Sequence, residues 1–167
     1  MNTKQFTPEN ITELKENEVF VFGSNMNGNH AGGAARFAVK NFGAINGQTE
    51  GLQGQSYAIP TLDEKMEKLS LGRISLSIDK LFQFANENAN LVFFVTKIGC
   101  GIAGFTEDEL KQVFYSKEFI PFNVVLPQEF TFIREENDLI KKSNETDNLR
   151  TNTVKIQLLQ NNNIFVA

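Results

Sequence analysis

The stretch LVFFVTKIGCGIAGF at positions 91–105 restricts what this chain can fold into more than any other part of it. A run of apolar, β-favouring residues stops at Lys97 and Ile98 and passes into Gly99, Cys100, Gly101, Ile102, Ala103 and Gly104. Residues that are apolar at both odd and even positions leave neither face for water, so the run predicts an inner strand covered on both sides. The glycines after it permit a sharp turn and close backbone approach. Thr106, followed by acidic residues at 107–109 with Glu109 three positions on, predicts a helix start. Strand, glycine loop and helix N-terminus together form a candidate anion site, because unpaired N–H groups and the helix dipole favour negative charge. The plain alternative is a tight strand-to-helix turn that holds no ligand.

The same order of elements occurs earlier. Val19, Phe20, Val21 and Phe22 form a second apolar run, ended by Gly23, Ser24 and Asn25. Residues 25–33, NMNGNHAGG, are turn-rich, and Gly32 and Gly33 lead to a helix with Ala34, Phe37, Ala38 and Phe42 on one side and Gly43 at its end. Before this unit, residues 7–16 (TPENITELKE) predict a short helix with Thr7 as N-cap and Pro8 in the first position. After it, residues 44–54 read as an irregular loop, and residues 56–60 as a strand stopped by Pro60. Thr61 and Asp63 follow at its carboxyl end, with Asp63 expected to cap a helix. Helical spacing of Leu71, Ile74, Ile78, Leu81, Phe82 and Ala85 predicts a helix over 69–87, and residues 123–127 read as a last strand. Strands alternating with helices predict an α/β protein with a mostly parallel sheet, whose ligands bind beyond the strand carboxyl ends.

A chain of 167 residues fits one domain, expected over 1–133, followed by a polar extension over 134–167. Within the extension, residues 154–159 could add an edge strand or pair with a second copy. The net charge of −4 and pI of 5.1 argue against broad nucleic-acid or anionic-membrane binding. One cysteine and one histidine exclude an internal disulfide and a four-cysteine zinc site, and no cofactor is expected. The first residues lack a signal peptide's apolar core, and no run approaches the ~20 apolar residues that span a bilayer, so the expected location is cytoplasmic. His30, in a glycine-flanked loop, is expected at the surface. Cys100 could be a reactive thiol beside a helix start or a small residue packed under a tight loop, and packing is favoured. Lys97 is the expected cation near the phosphate loop.

Phe22-Gly23-Ser24-Asn25, Gly32-Gly33-Ala34-Ala35, Tyr57-Ala58-Ile59-Pro60-Thr61 and the run from Ile98 to Phe105 together resemble the macro domain family. More closely, the chain is similar to a macro-domain-like branch found in bacteria and phages. The resemblance spans roughly residues 19–126 and implies a three-layer α/β/α fold whose two glycine loops hold the diphosphate of ADP-ribose or a related nucleotide. It places Asn25 near the distal ribose and Gly32, Gly33 and Ala34 in the first loop. Gly99, Cys100, Gly101, Ile102, Ala103 and Gly104 fall in the second, and Phe105 against the ribose. The chain departs from the family in three ways: no aspartate motif precedes Val19 to hold an adenine amine, the first loop lacks a third consecutive glycine, and the glycohydrolases' Glu-Glu pair is absent. The function implied is ADP-ribose or nucleotide binding. The alternatives are an ADP-ribosyl hydrolase in which Asn25 positions a water, or a ligand-free interaction module that self-associates through the extension.

Overall fold

The computed structural model describes residues 6–131. Strands β1 (Glu18–Asn25), β2 (Gly51–Gln53), β3 (Ser56–Leu62), β4 (Val92–Val95) and β5 (Val124–Val125) are interleaved with helices α1 (Gly33–Asn41), α2 (Leu71–Glu87) and α3 (Glu107–Tyr115). A 3-10 turn at Gln128–Phe130 follows β5. The strand order is β2-β3-β1-β4-β5, with β3, β1, β4 and β5 parallel and β2 antiparallel to β3. The expected α/β architecture with a mostly parallel, mixed sheet is therefore present.

Strand β1 lies at the centre because its side chains serve both faces. Val19 and Val21 join the cluster that holds Ile74, Ile78 and Leu81 of α2 with Leu110 and Phe114 of α3. Phe20 and Phe22 point the other way, into a smaller cluster with Ala35 and Ala38 of α1. The period-two alternation of a strand thus sends successive apolar residues into two layers, and each buried side chain stabilises by roughly 1.5–3 kcal/mol. Helix α1 covers one face and α2 and α3 the other, which gives three layers.

Several sequence expectations are corrected. Residues 7–16 form no helix. Thr7 instead donates its N–H to Leu126 O (2.9 Å) and its hydroxyl to Val125 O (2.8 Å), so the segment is held beside β5, and Ile11 and Leu14 pack on the smaller cluster without helical spacing. The supposedly irregular 44–54 loop contains β2. Strand β3 does not stop at Pro60 but runs to Leu62. The proline sits opposite a register shift between Ser24 and Asn25, and irregularities of this kind tolerate a residue with no N–H. Asp63 caps no helix: its Oδ1 accepts from the N–H groups of Lys65 and Glu67 (both 2.8 Å) and closes a turn, while Ser70 caps α2. The core face of α1 is Ala35, Ala38 and Phe42, whereas Ala34 is exposed and Phe37 is 37% exposed. The extension expected over 134–167 lies outside the described residues. Among the described residues, no helix is long and apolar enough to cross a membrane.

Candidate functional site

Because β1, β3 and β4 are parallel, the segments after all three open on one edge of the sheet, where ligands of open α/β sheets bind. A cleft of about 430 Å³ occupies that edge. The end of β1, the loop after it and the start of α1 supply Gly23, Ser24, Asn25, Gly32, Gly33 and Ala34, and the loop after β4 supplies Gly99, Gly101, Ile102 and Ala103. The two loops named from the sequence, separated by more than sixty residues, therefore meet across one cleft. They approach closely at Gly32, where an added Cβ would lie 3.0 Å from Ile102 Cδ1, and at Gly23, where one would lie 3.2 Å from Gly99 N. Ile102 is 73% exposed and arches over that point.

Cys100, Gly104 and Phe105, also named from the sequence, do not line the cleft. Phe105 is buried in the core beneath Gly99, whose φ of +74° brings its Cα so near that a Cβ would stand 2.9 Å from the ring. Cys100 packs against the same core, and burial, followed by the charge of Glu107, raises its thiol pKa above the usual value. That is the opposite of an activated thiolate and fits the packing role. Gly104 accepts from Lys68 Nζ (2.6 Å), and the same ammonium lies 4.6 Å above the Phe105 ring.

Asn25 lines the cleft with its side chain committed to its own loop. Oδ1 accepts from the N–H groups of Asn27 (3.2 Å) and Asn29 (3.0 Å), and Nδ2 donates to Asn29 O (2.7 Å). Such a turn fixes the path that carries Gly32 and Gly33 to the cleft. Ser24 is buried and donates to Thr49 O (2.5 Å). Thr61 donates to Ser24 O (3.2 Å) and Thr96 to Val21 O (2.9 Å), so both threonines form a floor with their hydroxyl protons occupied.

His30 is corrected from a surface residue to a buried one, at 2% exposure. Its ring stands edge-on to Phe22 at 5.2 Å, and Nε2 lies 3.1 Å from Gln48 O, an acceptor, so that nitrogen carries a proton. Nδ1 is buried without a partner among the described residues. The residue does not line the cleft; it anchors the first loop from behind.

The electrostatics rest on backbone and helix more than on side chains. Helix α1 begins at Gly33 with Gly32 as N-cap, and among the described residues no side chain caps its first turn. The first amides of a helix have no intrahelical acceptor, and here Gly33 and Ala34 face the cleft. In the second loop, the N–H groups of Gly101, Ile102 and Ala103 have no protein acceptor among the described residues. Lys97 is the one charged residue lining the cleft among the described residues. Its ammonium pairs with Glu129 (2.5 Å) and Glu107 (3.1 Å), and these hydrogen bonds, Glu129 first, raise its pKa above the ordinary lysine value. The expected cation is present and already paired with two carboxylates.

A second cavity of about 640 Å³ adjoins the cleft. The two share Gly33, Ala34, Thr96 and Lys97, so they form one trough. Phe20, Phe37 and Ile11 give this end an apolar wall, and Gln128 and Glu129 of the 3-10 turn close it. The sequence reading missed this end, along with Thr96 and Met66. Thr96 carries a weak signal, a polar residue directly after an apolar strand. Met66, at a positive φ of 64°, carries none. No group of three or more acidic, histidine or cysteine residues placed to hold a metal ion occurs among the described residues.

No protein-family model matches the chain, and no curated protein matches it. A solved structure described as that of a protein of unknown function from Bacteroides thetaiotaomicron is similar over 70% of this chain and 90% of its own, with 15% identity and a TM-score of 0.46.

Proposed function

We propose that this chain is a macro-domain-like module that binds ADP-ribose or a related phosphorylated nucleotide through its two glycine-rich loops. The observation that carries the reading is the meeting of both loops across one cleft into which α1 opens without a side-chain cap. A diphosphate in that cleft would accept from the first-turn amides of α1 on one side and from the amides of Gly101, Ile102 and Ala103 on the other. The adjoining cavity has the size for a planar base, with Phe37 and Phe20 as an aromatic wall along one side. Its presence supports a nucleotide over a bare phosphate.

Binding is favoured over hydrolysis because no histidine, cysteine or carboxylate lines the inner cleft among the described residues, and Asn25 is engaged by its own loop. The test is calorimetry with ADP-ribose, ADP, NAD and inorganic phosphate. The expected order is ADP-ribose tightest and phosphate alone weakest, since the larger ligands reach the second cavity. No heat with any of the nucleotides would refute the reading.

A further inference from the structure

Lys97, Glu107 and Glu129 form the only ion-paired group that touches the trough among the described residues; Lys97 sits where its two halves meet, Glu129 lines the larger cavity, and Glu107 pairs with Lys97 from outside both. A nucleotide with its diphosphate on the first-turn amides of α1 and its base against Phe37 would carry its sugar past Thr96 and Lys97, which both cavities share. Glu129 lines the base end beside that crossing. Its hydrogen bond to Lys97 keeps the carboxyl ionised, below its usual pKa, and leaves its second oxygen outside that ion pair. Two carboxylates around one ammonium leave an excess negative charge at the crossing. An ionised carboxylate accepts from hydroxyls and repels phosphates.

The geometry points to Glu129, held in place by Lys97, as the residue that selects a ribose with free hydroxyls over one bearing a 2′-phosphate. This inference rests on the nucleotide reading above, and it assigns the ligand class as non-phosphorylated at the base-proximal sugar. Lys97 is the positioning residue and Glu129 the specificity-determining one.

Calorimetry with ADP-ribose and with its 2′-phosphate tests it on the full chain. The unaltered protein should bind ADP-ribose at least about fivefold tighter, the scale of a like-charge contact in a partly exposed site. Glu129→Gln, which keeps an acceptor but removes the charge, should bring that ratio close to one, chiefly by tightening the 2′-phosphate compound. Glu107→Gln, which alters the pair outside both cavities, should leave more of the preference intact. Equal affinities in the unaltered protein, or an unchanged ratio in a folded Glu129→Gln variant, would overturn the inference. Heat with neither compound would mean that the nucleotide reading has failed, and the inference falls with it.

Discussion

The two strand–glycine loop–helix units resemble each other in sequence, yet their helices end in opposite electrostatic states. Helix α3 is closed by its own residues: Thr106 Oγ1 accepts from Glu109 N (3.1 Å), and Glu109 Oε2 accepts from Thr106 N (2.7 Å). Glu107, Asp108 and Glu109 fill its first turn with negative charge. Helix α1 has a glycine cap, no acidic residue in its first turn and, among the described residues, no side-chain cap on its first amides. An anion at α3 would compete with three carboxylates, while one at α1 would meet open donors. Glycine-rich sequence before a helix is thus insufficient for an anion site. The first side chains of the helix decide whether its dipole remains available.

The contrast breaks most readily at the glycines that hold the first loop. Gly28 has φ +65°, and a Cβ there would lie 2.6 Å from Gly47 C, a backbone atom that cannot step aside. Gly28→Ala should destabilise the fold by roughly 3 kcal/mol and remove nucleotide binding, measured by denaturant melts and calorimetry. Gly33→Ala, with φ +52° and nothing within 4 Å of the added carbon, should cost only about 1 kcal/mol. Equal losses at the two sites would show that close packing of the first loop is not what holds it.

A smaller effect separates binding from stability. Ala34 is exposed in the first turn of α1 and lines both cavities. Ala34→Glu should leave the melting temperature unchanged or slightly raised, because a carboxylate suits a helix N-terminus, and should weaken nucleotide binding by about tenfold or more. Tight binding retained in this variant would mean that α1 is not the anion-holding helix.

The smallest effect belongs to α3. Thr106→Ala removes a capping bond and should cost about 1 kcal/mol without altering nucleotide affinity. Glu109 has its pKa lowered chiefly by the bond from Thr106 N–H, so its contribution is present above the usual carboxylate pKa and is lost as pH falls through the lowered value. Protection of the Thr106 amide, measured as its exchange rate against the intrinsic rate at each pH, should therefore be present near neutrality and be lost in that acid window. Protection that stays constant through the window would argue against the reciprocal cap.

Much of this was legible in the chain. Thr106 and Glu109 at the spacing of a capping box announce the closed start of α3, because capping is local and depends on side chains three residues apart. The apolar runs announce β1 and β4, because a strand buried on both faces leaves no polar position. The glycine-rich turns announce where the backbone can approach a ligand. His30 was read wrongly because its burial depends on Phe22 below it and Gln48 eighteen residues later, neither of which marks the histidine itself. The helix expected over 7–16 failed for a related reason: a cap-like Thr7 and Pro8 were outweighed by distant acceptors on Val125 and Leu126.

The sequence by itself determined β1, β3, β4, β5, the three helices and the two glycine loops, since these follow from periodicity, capping and backbone freedom within a few residues. Tertiary structure decided that the loops face each other, that a cavity with an aromatic wall adjoins them, and that Lys97 pairs with Glu129, thirty-two positions away. Those outcomes depend on strand order and on pairing between distant side chains, and local spacing carries no information about either.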